Sequence, residues 1–206
     1  DLGGTAPKIL RLSNIPTFIV PSGTGEPAAT VPPERIFVPL DGSVRSECVL
    51  ASAIQIARQS DAEIVVGHVV SNPMRTELLF NDADLSLART FAGRLSSRAE
   101  EYLERVVARL EATGVKARST LARSNDPQEK LVALGSSERA DMVMMSAHGT
   151  TCNARRDLGS VASYVVGHSQ IPVLIIHDLQ GAATPRDGSQ RQSRLPVRSD
   201  DDHSDR

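Results

Sequence analysis

The feature that most constrains the fold of this chain is a regular alternation of short apolar runs with amphipathic stretches between residues 35 and 177. The predicted strands are the mainly apolar runs RIFVPL (35–40), EIVVGHVV (63–70), DMVMMS (141–146) and PVLII (172–176), with VKARSTLA (115–122) as a further strand-like segment. The intervening stretches carry apolar residues at helical spacing, over 44–59, over 95–110, from 125 or 126 onward, and over 159–168. Strands joined by helices of this length predict a doubly wound α/β domain, in which helices cover both faces of a parallel sheet.

The first residues of the chain repeat a later segment. Residues 1–20 match residues 157–176 at a constant offset of 156, with identity at eight of twenty positions. A fixed-period repeat indicates tandem domains, so we expect residues 1–20 to close a preceding domain whose body lies outside this sequence. The predicted parts are a C-terminal remnant, helix plus strand, of that domain (1–20), a Pro-rich linker (21–34), a complete domain (35–178) and a disordered tail (179–206).

Charge and hydropathy argue against two classes of partner. A formal net charge of −2 disfavours nucleic acid, and no apolar run approaches the length of about eighteen residues that a membrane helix needs. Cys48 and Cys152 are far apart and lack metal-ligand spacing, which is typical of reduced thiols in the cytoplasm. We therefore predict a cytoplasmic globular protein that binds neither nucleic acid nor membrane.

Small and polar residues gather where the predicted strands end. Asp41 follows the first strand, and the fourth strand leads into Ser146-Ala-His-Gly149, nine further residues and then Gly159-Ser160. Ligands of doubly wound sheets bind at this edge, where glycine lets backbone approach a phosphate and a helix start offers unpaired N–H groups. From the residues alone, Asp41 is either a turn cap or a ribose or adenine acceptor. Gly159-Ser160 is either a plain helix start or a phosphate site.

These residues resemble the universal stress protein family over residues 35–177, from VPLDGS through HVV to the closing DLGS and IPVLII. Nucleotide-binding members of that family carry Gly-x-x-Gly, nine residues, then Gly-Ser/Thr, and this chain keeps the spacing with Ser146 in place of the first glycine. The resemblance implies a Rossmann-like adenine-nucleotide-binding fold with five parallel strands in the order 3-2-1-4-5. It implies ATP, or AMP or ADP, with Mg²⁺ on the phosphates, in a site made of Pro39, Asp41, Val69, Met145, Ser146, His148, Gly149, Gly159, Ser160 and Val161.

By the same resemblance, Asp41, Val69 and Met145 belong to the adenosine end of the site. His148 and Gly149 belong to the phosphate end, together with residues 159–161. The consequence of Ser146 depends on its backbone. At negative φ it adds only a Cβ and a hydroxyl, whereas at positive φ, or where the backbone must touch the nucleotide, it costs on the order of 1–2 kcal/mol.

The favoured prediction of function is a nucleotide-binding regulatory module that acts in stress response through conformation and dimerisation. No catalytic or metal-ligating residue is assigned, and ATP hydrolysis is expected to be slow at most. The alternative, for which Ser146 is the argument, is an interaction module of the same fold that binds no nucleotide. An ATP pyrophosphatase is disfavoured because VPLDGSVRS lacks a Ser-Gly-Gly-type run.

Association is predicted at the last strand. Residues 172–176 form an edge that another strand can extend, and TFIV (17–20) is expected to pair with it in antiparallel direction. We expect self-association through residues 172–176 and 17–20. His68, at the end of a buried strand, is interpreted as a structural histidine.

Overall fold

The computed structural model describes residue 10 and residues 15–21, 32–71, 82–149 and 158–177, and its centre is a six-stranded sheet. The strands are β1 (Thr17–Ile19), β2 (Arg35–Pro39), β3 (Glu63–Ser71), β4 (Lys116–Ser124), β5 (Met142–Ser146) and β6 (Val173–Ile176). They lie in the order β1-β6-β5-β2-β3-β4. Strands β2 to β6 pair in parallel, and β1 pairs antiparallel with β6.

The predicted doubly wound α/β fold is confirmed. The five strands expected from the sequence are β2 to β6, and their order, β4-β3-β2-β5-β6, is the expected 3-2-1-4-5. The predicted strand count is corrected from five to six, because β1 adds an antiparallel strand beside β6. The sheet is therefore mixed rather than purely parallel.

The register of the β1–β6 pair is symmetric with respect to the internal repeat. The Cα partners are Thr17 with Ile175, Phe18 with Leu174 and Ile19 with Val173. Phe18 thus lies opposite Leu174, its own equivalent in the repeat, as two identical strands would pair about a two-fold axis. The expected antiparallel pairing of this segment is confirmed for residues 17–19. Of the helical part predicted before it, only Leu10 is described, and it is buried.

Four helices connect the strands over the described residues. They are α1 (Leu50–Ser60), α2 (Asp82–Glu111), α3 (Pro127–Ser137) and α4 (Ser160–His168), and a short 3-10 helix (Ser46–Val49) precedes α1. Helix α2 begins at Asp82, well before the stripe predicted over 95–110. The sequence did not reveal this earlier part because Leu87 and Phe91 are exposed and form no buried stripe. Gly114, shortly after the end of α2, has a φ of +84°, the left-handed conformation that glycine commonly adopts where a helix ends.

Both faces of the sheet are buried at its central strands, β2, β5 and most of β3, as continuous apolar strands require. Alternate residues of β2 and β3, such as Ile36 and Ile64, pack with α1 and α2 on one face. The intervening residues, such as Phe37 and Val65, pack with α3 and α4 on the other. A side chain at Gly67 would collide with the ring of Phe37, so this glycine makes room for the largest core residue.

Parts of the predicted domain organisation lie outside the described residues. These are the helical portion of 1–20 apart from Leu10, most of the predicted linker, and residues 178–206 of the predicted domain end and tail. The division of the chain therefore stays a prediction. Among the described helices, none combines the length and apolar character needed to cross a membrane.

Candidate functional site

A cleft of about 290 Å³ opens at the carboxyl ends of β2, β3 and β5. The strand order reverses here, since the chain runs outward from β2 to β3 and β4 and then crosses to β5 on the other side of β2. Ligands of doubly wound domains bind at such a switch point, because the loops after the two adjacent strands diverge to opposite faces. The topology alone marks this cleft as the candidate site.

Every residue that the family resemblance assigned to a nucleotide site lines this cleft. They are Pro39, Asp41, Val69, Met145, Ser146, His148, Gly149, Gly159, Ser160 and Val161. The described lining also contains residues that the sequence did not assign, namely Leu40, Ser46, His68, Pro127, Leu131, Ala147 and Ala162. The structure brings the predicted set together, and the binding of a nucleotide there stays a prediction.

Helix α3 contributes a wall that sequence reasoning missed. Its first turn begins at Pro127, where Asp126 caps the helix by accepting a hydrogen bond from the N–H of Glu129 at 3.1 Å. The right-handed connection from β4 to β5 carries α3 back across the sheet, so Pro127 and Leu131 face the cleft. The start of this helix at 125 or 126 was predicted from the sequence. Its place over the cleft requires the topology.

The two oxygens of the Asp41 carboxylate have different neighbours, Ser43 and Gly149. Its Oδ1 accepts hydrogen bonds from the backbone N–H of Ser43 at 2.9 Å and from the Ser43 hydroxyl at 2.6 Å. Gly42, between them, has a φ of +84°, which glycine adopts without strain. The other oxygen, Oδ2, lies beside Gly149 of the β5 loop. Of the two interpretations left open by the sequence, turn capping is therefore present, and the second oxygen remains at the cleft.

Two glycines bring backbone segments close together at the cleft. A Cβ at Gly149 would collide with the Asp41 carboxylate. A Cβ at Gly159 would lie 3.2 Å from the carbonyl oxygen of Ala147, closer than most side chains tolerate. That carbonyl accepts a hydrogen bond from the N–H of Gly159 at 2.8 Å. The glycine spacing in the sequence therefore corresponds to two close approaches of the β5 loop to its neighbours.

Ser146 occupies the position of the missing first glycine without backbone strain. Among the described non-glycine residues, positive φ occurs at Asp61 and Arg139 but not at Ser146. The side chain is buried, with 6% of the residue exposed, and its hydroxyl donates a hydrogen bond to the carbonyl of His148 at 2.7 Å. The cost that a positive φ would bring is therefore absent.

Helix α4 starts at the cleft without a side-chain cap. Its N-cap residue, Gly159, forms no side-chain hydrogen bond, because glycine has no side chain to offer. The first N–H groups of a helix lack intrahelical acceptors, and the helix dipole places partial positive charge there. Ser160 and Val161, the first two residues of α4, line the cleft. This helix start has the character of an anion site.

His68, in the wall of the cleft, contacts a backbone carbonyl and the ring of Tyr102. Its Nδ1 lies 2.6 Å from the carbonyl oxygen of Leu40, and its ring meets that of Tyr102 edge-on, with 6.4 Å between centroids. The Tyr102 hydroxyl donates to Glu47 at 3.0 Å. Burial and the Glu47 carboxylate raise the pKa of Tyr102 well above its usual range, so the hydroxyl remains a donor at neutral pH. The contact of His68 with the Leu40 carbonyl agrees with the predicted structural role.

Comparison with known proteins identifies the family. The model of the universal stress protein family matches residues 33–177. Universal stress protein MJ0531 of Methanocaldococcus jannaschii is 29% identical over 143 residues, which cover 69% of this chain and 81% of that protein. Universal stress protein Mb2028c of Mycobacterium bovis is 27% identical over 183 residues, which cover 84% of this chain but 55% of the longer relative.

Solved structures show the same fold. The structure of protein MJ0577 from Methanocaldococcus jannaschii superposes with a TM-score of 0.63 at 24% identity, covering 72% of this chain and 98% of that one. A universal stress protein in complex with cAMP gives a TM-score of 0.51 at 24% identity, covering 70% and 97%. At these identities the likeness establishes the fold, and the family match establishes the relationship. The chain belongs to the universal stress protein family.

Proposed function

We propose that this chain is a nucleotide-binding regulatory module that binds ATP, ADP or AMP and acts in stress response through conformation and association. The observation that carries the proposal is the convergence on one cleft of the Asp41 carboxylate, of Gly149 close beside it and of the uncapped start of α4. A carboxylate suits ribose or adenine donors, and uncapped N–H groups suit phosphate oxygens.

The adenosine end of the proposed site lies around Asp41. Ser43 already holds one carboxylate oxygen, so the group is oriented before a ligand arrives and less entropy is lost on binding. Pro39, Val69 and Met145 supply apolar surface beside it. An apolar pocket with one convergent polar group is the usual composition of a small-ligand site.

The phosphate end lies between Gly149 and the start of α4. The backbone N–H groups at 160 and 161 and the hydroxyl of Ser160 are the proposed donors to phosphate oxygens. Mg²⁺ would be held chiefly by the phosphates themselves, because this ion is usually bound through substrate oxygens, water and few protein carboxylates. Asp41 is the carboxylate among the described lining residues. We propose binding rather than efficient turnover for this set of groups.

Two solved relatives support the choice of ligand class. One is a universal stress protein in complex with cAMP, with a TM-score of 0.51. The other is the universal stress protein of Archaeoglobus fulgidus in complex with dAMP, at 22% identity and a TM-score of 0.50. Both ligands are adenine nucleotides with a single phosphate group, which supports AMP as well as ATP as a candidate here.

Titration calorimetry with ATP tests the proposal. We expect saturable one-to-one binding by the wild-type chain and its loss in Gly159→Glu, because that carboxylate would occupy the phosphate position and repel the anion. Gly167→Glu is the matched control. It introduces the same side chain in the last turn of the same helix, where a Cβ meets nothing within 4 Å, and should bind ATP as the wild type does.

The alternative, an interaction module without nucleotide, has its own signature in the same titration. No saturable binding by the wild type would overturn the proposed function. Binding that appears only in Ser146→Gly would identify Ser146 as the cause and favour the alternative.

Association through the edge of the sheet is the second part of the proposal. Within the chain, β1 already pairs with the outer edge of β6, its repeat equivalent, so the edge that faces a second copy is that of β1. Phe18 of β1 and Val20, the residue that follows the strand, are 44% and 40% exposed. We propose that two copies of the chain associate here in the cytoplasm. Antiparallel pairing of the last strand with its repeat equivalent, as β6 pairs with β1 here, would also join the two halves of a tandem protein. Such an arrangement is compatible with the length of the mycobacterial relative.

A further inference from the structure

Ser146 is buried at the end of β5 and lines the cleft, yet its hydroxyl proton is directed into its own loop. The hydroxyl donates to the His148 carbonyl at 2.7 Å, two residues further along the chain. A short serine-to-backbone bond of this type stabilises a turn that the chain would otherwise adopt only part of the time. Ser146, which replaces the first glycine of the motif, therefore stabilises the loop that contains the second glycine, Gly149.

The residues next to Ser146 are fixed on both sides. The N–H of Ala147 donates to the carbonyl of Ile176 in β6 at 2.8 Å, and the carbonyl of Ala147 accepts from the N–H of Gly159 at 2.8 Å. The base of the loop is thus attached to the last strand and to the start of α4. With both backbone groups of Ala147 engaged, the next peptide that can turn is the one between His148 and Gly149.

The bond from Ser146 determines the orientation of that next peptide. In a planar trans peptide the carbonyl and the following N–H point in opposite directions, and no described peptide bond is cis. Since the His148 carbonyl points toward Ser146, the N–H of Gly149 points away from it. Gly149 lines the cleft and lies beside Asp41, so the peptide whose orientation Ser146 fixes is part of the cleft wall.

We propose that Ser146 is a positioning residue that orients the Gly149 N–H for the phosphate group of the nucleotide. This inference rests on the proposed nucleotide-binding function and concerns only its phosphate end. Ser146 does not contact the nucleotide through its proton, which the His148 carbonyl receives. Its effect is to reduce the ordering that the loop must undergo when a phosphate binds.

The test compares a ligand with phosphates and one without. Calorimetry with ATP and with adenosine is carried out on the wild-type chain, on Ser146→Ala and on Ser60→Ala. Ser60 is the matched control because its hydroxyl also donates to a backbone carbonyl, that of Ile56 at 2.9 Å, but within α1 and away from the cleft. We expect Ser146→Ala to weaken ATP binding about three- to tenfold, the usual effect of losing one such hydrogen bond. Adenosine binding should remain unchanged, and Ser60→Ala should bind both ligands as the wild type does.

The outcomes separate this inference from the function on which it rests. Equal ATP affinities of wild type and Ser146→Ala, or an equal loss of ATP and adenosine affinity, would overturn the positioning role and leave the proposed function intact. Absence of binding of either ligand by the wild type would overturn both. A second readout needs no ligand: the amide proton resonance of Gly149 should shift in free Ser146→Ala and stay in place in Ser60→Ala, and an unmoved resonance in Ser146→Ala contradicts the inference.

Discussion

The Asp41 carboxylate has one oxygen bound by Ser43 and the other beside Gly149. A single side chain thus holds the loop after β2 and meets the loop after β5. Because Gly149 has no Cβ, the two loops approach closely at this point. A larger residue at 149 would collide with the Asp41 carboxylate, which explains why glycine occupies this position.

Glu138 lies near the amino ends of the strands, at the opposite end of the sheet from the cleft. Its carboxylate accepts from Arg118 at 2.7 Å, its carbonyl accepts from Arg35 at 2.8 Å, and both arginines also bind Glu63. Burial acts to raise the pKa of the Glu138 carboxyl. The hydrogen bonds from Arg118 and Thr120, with the charges of the two arginines, outweigh it and hold the pKa below its usual range.

The lowered pKa of Glu138 predicts a pH-dependent contribution to stability. Glu138→Gln should lower the free energy of unfolding by about 1 kcal/mol at pH 7, since the ion pair is partly exposed. The contribution is present above the pKa of an unfolded glutamate, about 4.3, and is lost as the pH falls through the lower folded value. Urea unfolding at pH 7 and at about pH 3.5 checks this. The difference between wild type and variant should shrink at the lower pH, and a constant difference would contradict the ion-pair account. Glu100→Gln, at an exposed position of α2, is the control.

At the scale of elements, the β1–β6 pair differs from the other strand pairs described because it is antiparallel. The strand β1 has only three residues, and Ile19 on it packs against the core cluster under α4. Phe18 points away from that cluster and is 44% exposed. An exposed aromatic residue on a short edge strand is a suitable centre for a contact between copies.

The association proposal therefore makes a prediction about Phe18. Sedimentation velocity of the wild-type chain should show a concentration-dependent dimer, and Phe18→Lys should weaken it because a charge is costly at the centre of a contact. Phe91→Lys provides the control, since Phe91 is 53% exposed on α2 and lies elsewhere on the surface. A wild-type chain that is monomeric at all concentrations, or equal weakening by the two substitutions, would refute association through this edge.

At the scale of the whole molecule, sequence reasoning was most successful where a local pattern and the topology agree. The doubly wound fold followed from the alternation of strand-like and helical segments, whereas the strand order and the ten predicted lining residues followed from the resemblance to the universal stress protein family. The contributions of Pro127 and Leu131 were missed because they depend on a crossover that brings distant segments together. The first turns of α2 were missed for a different reason: their apolar residues do not face the core, so no stripe marked them.

The central claim is that an adenine nucleotide binds in the cleft between the loops after β2 and β5. The most direct test is a crystal structure of the chain grown with ATP and Mg²⁺. The account predicts adenosine against Asp41 and Val69, with phosphates at Gly149 and the first turn of α4. Density for the nucleotide at another surface, or an empty cleft at saturating ATP, would contradict it.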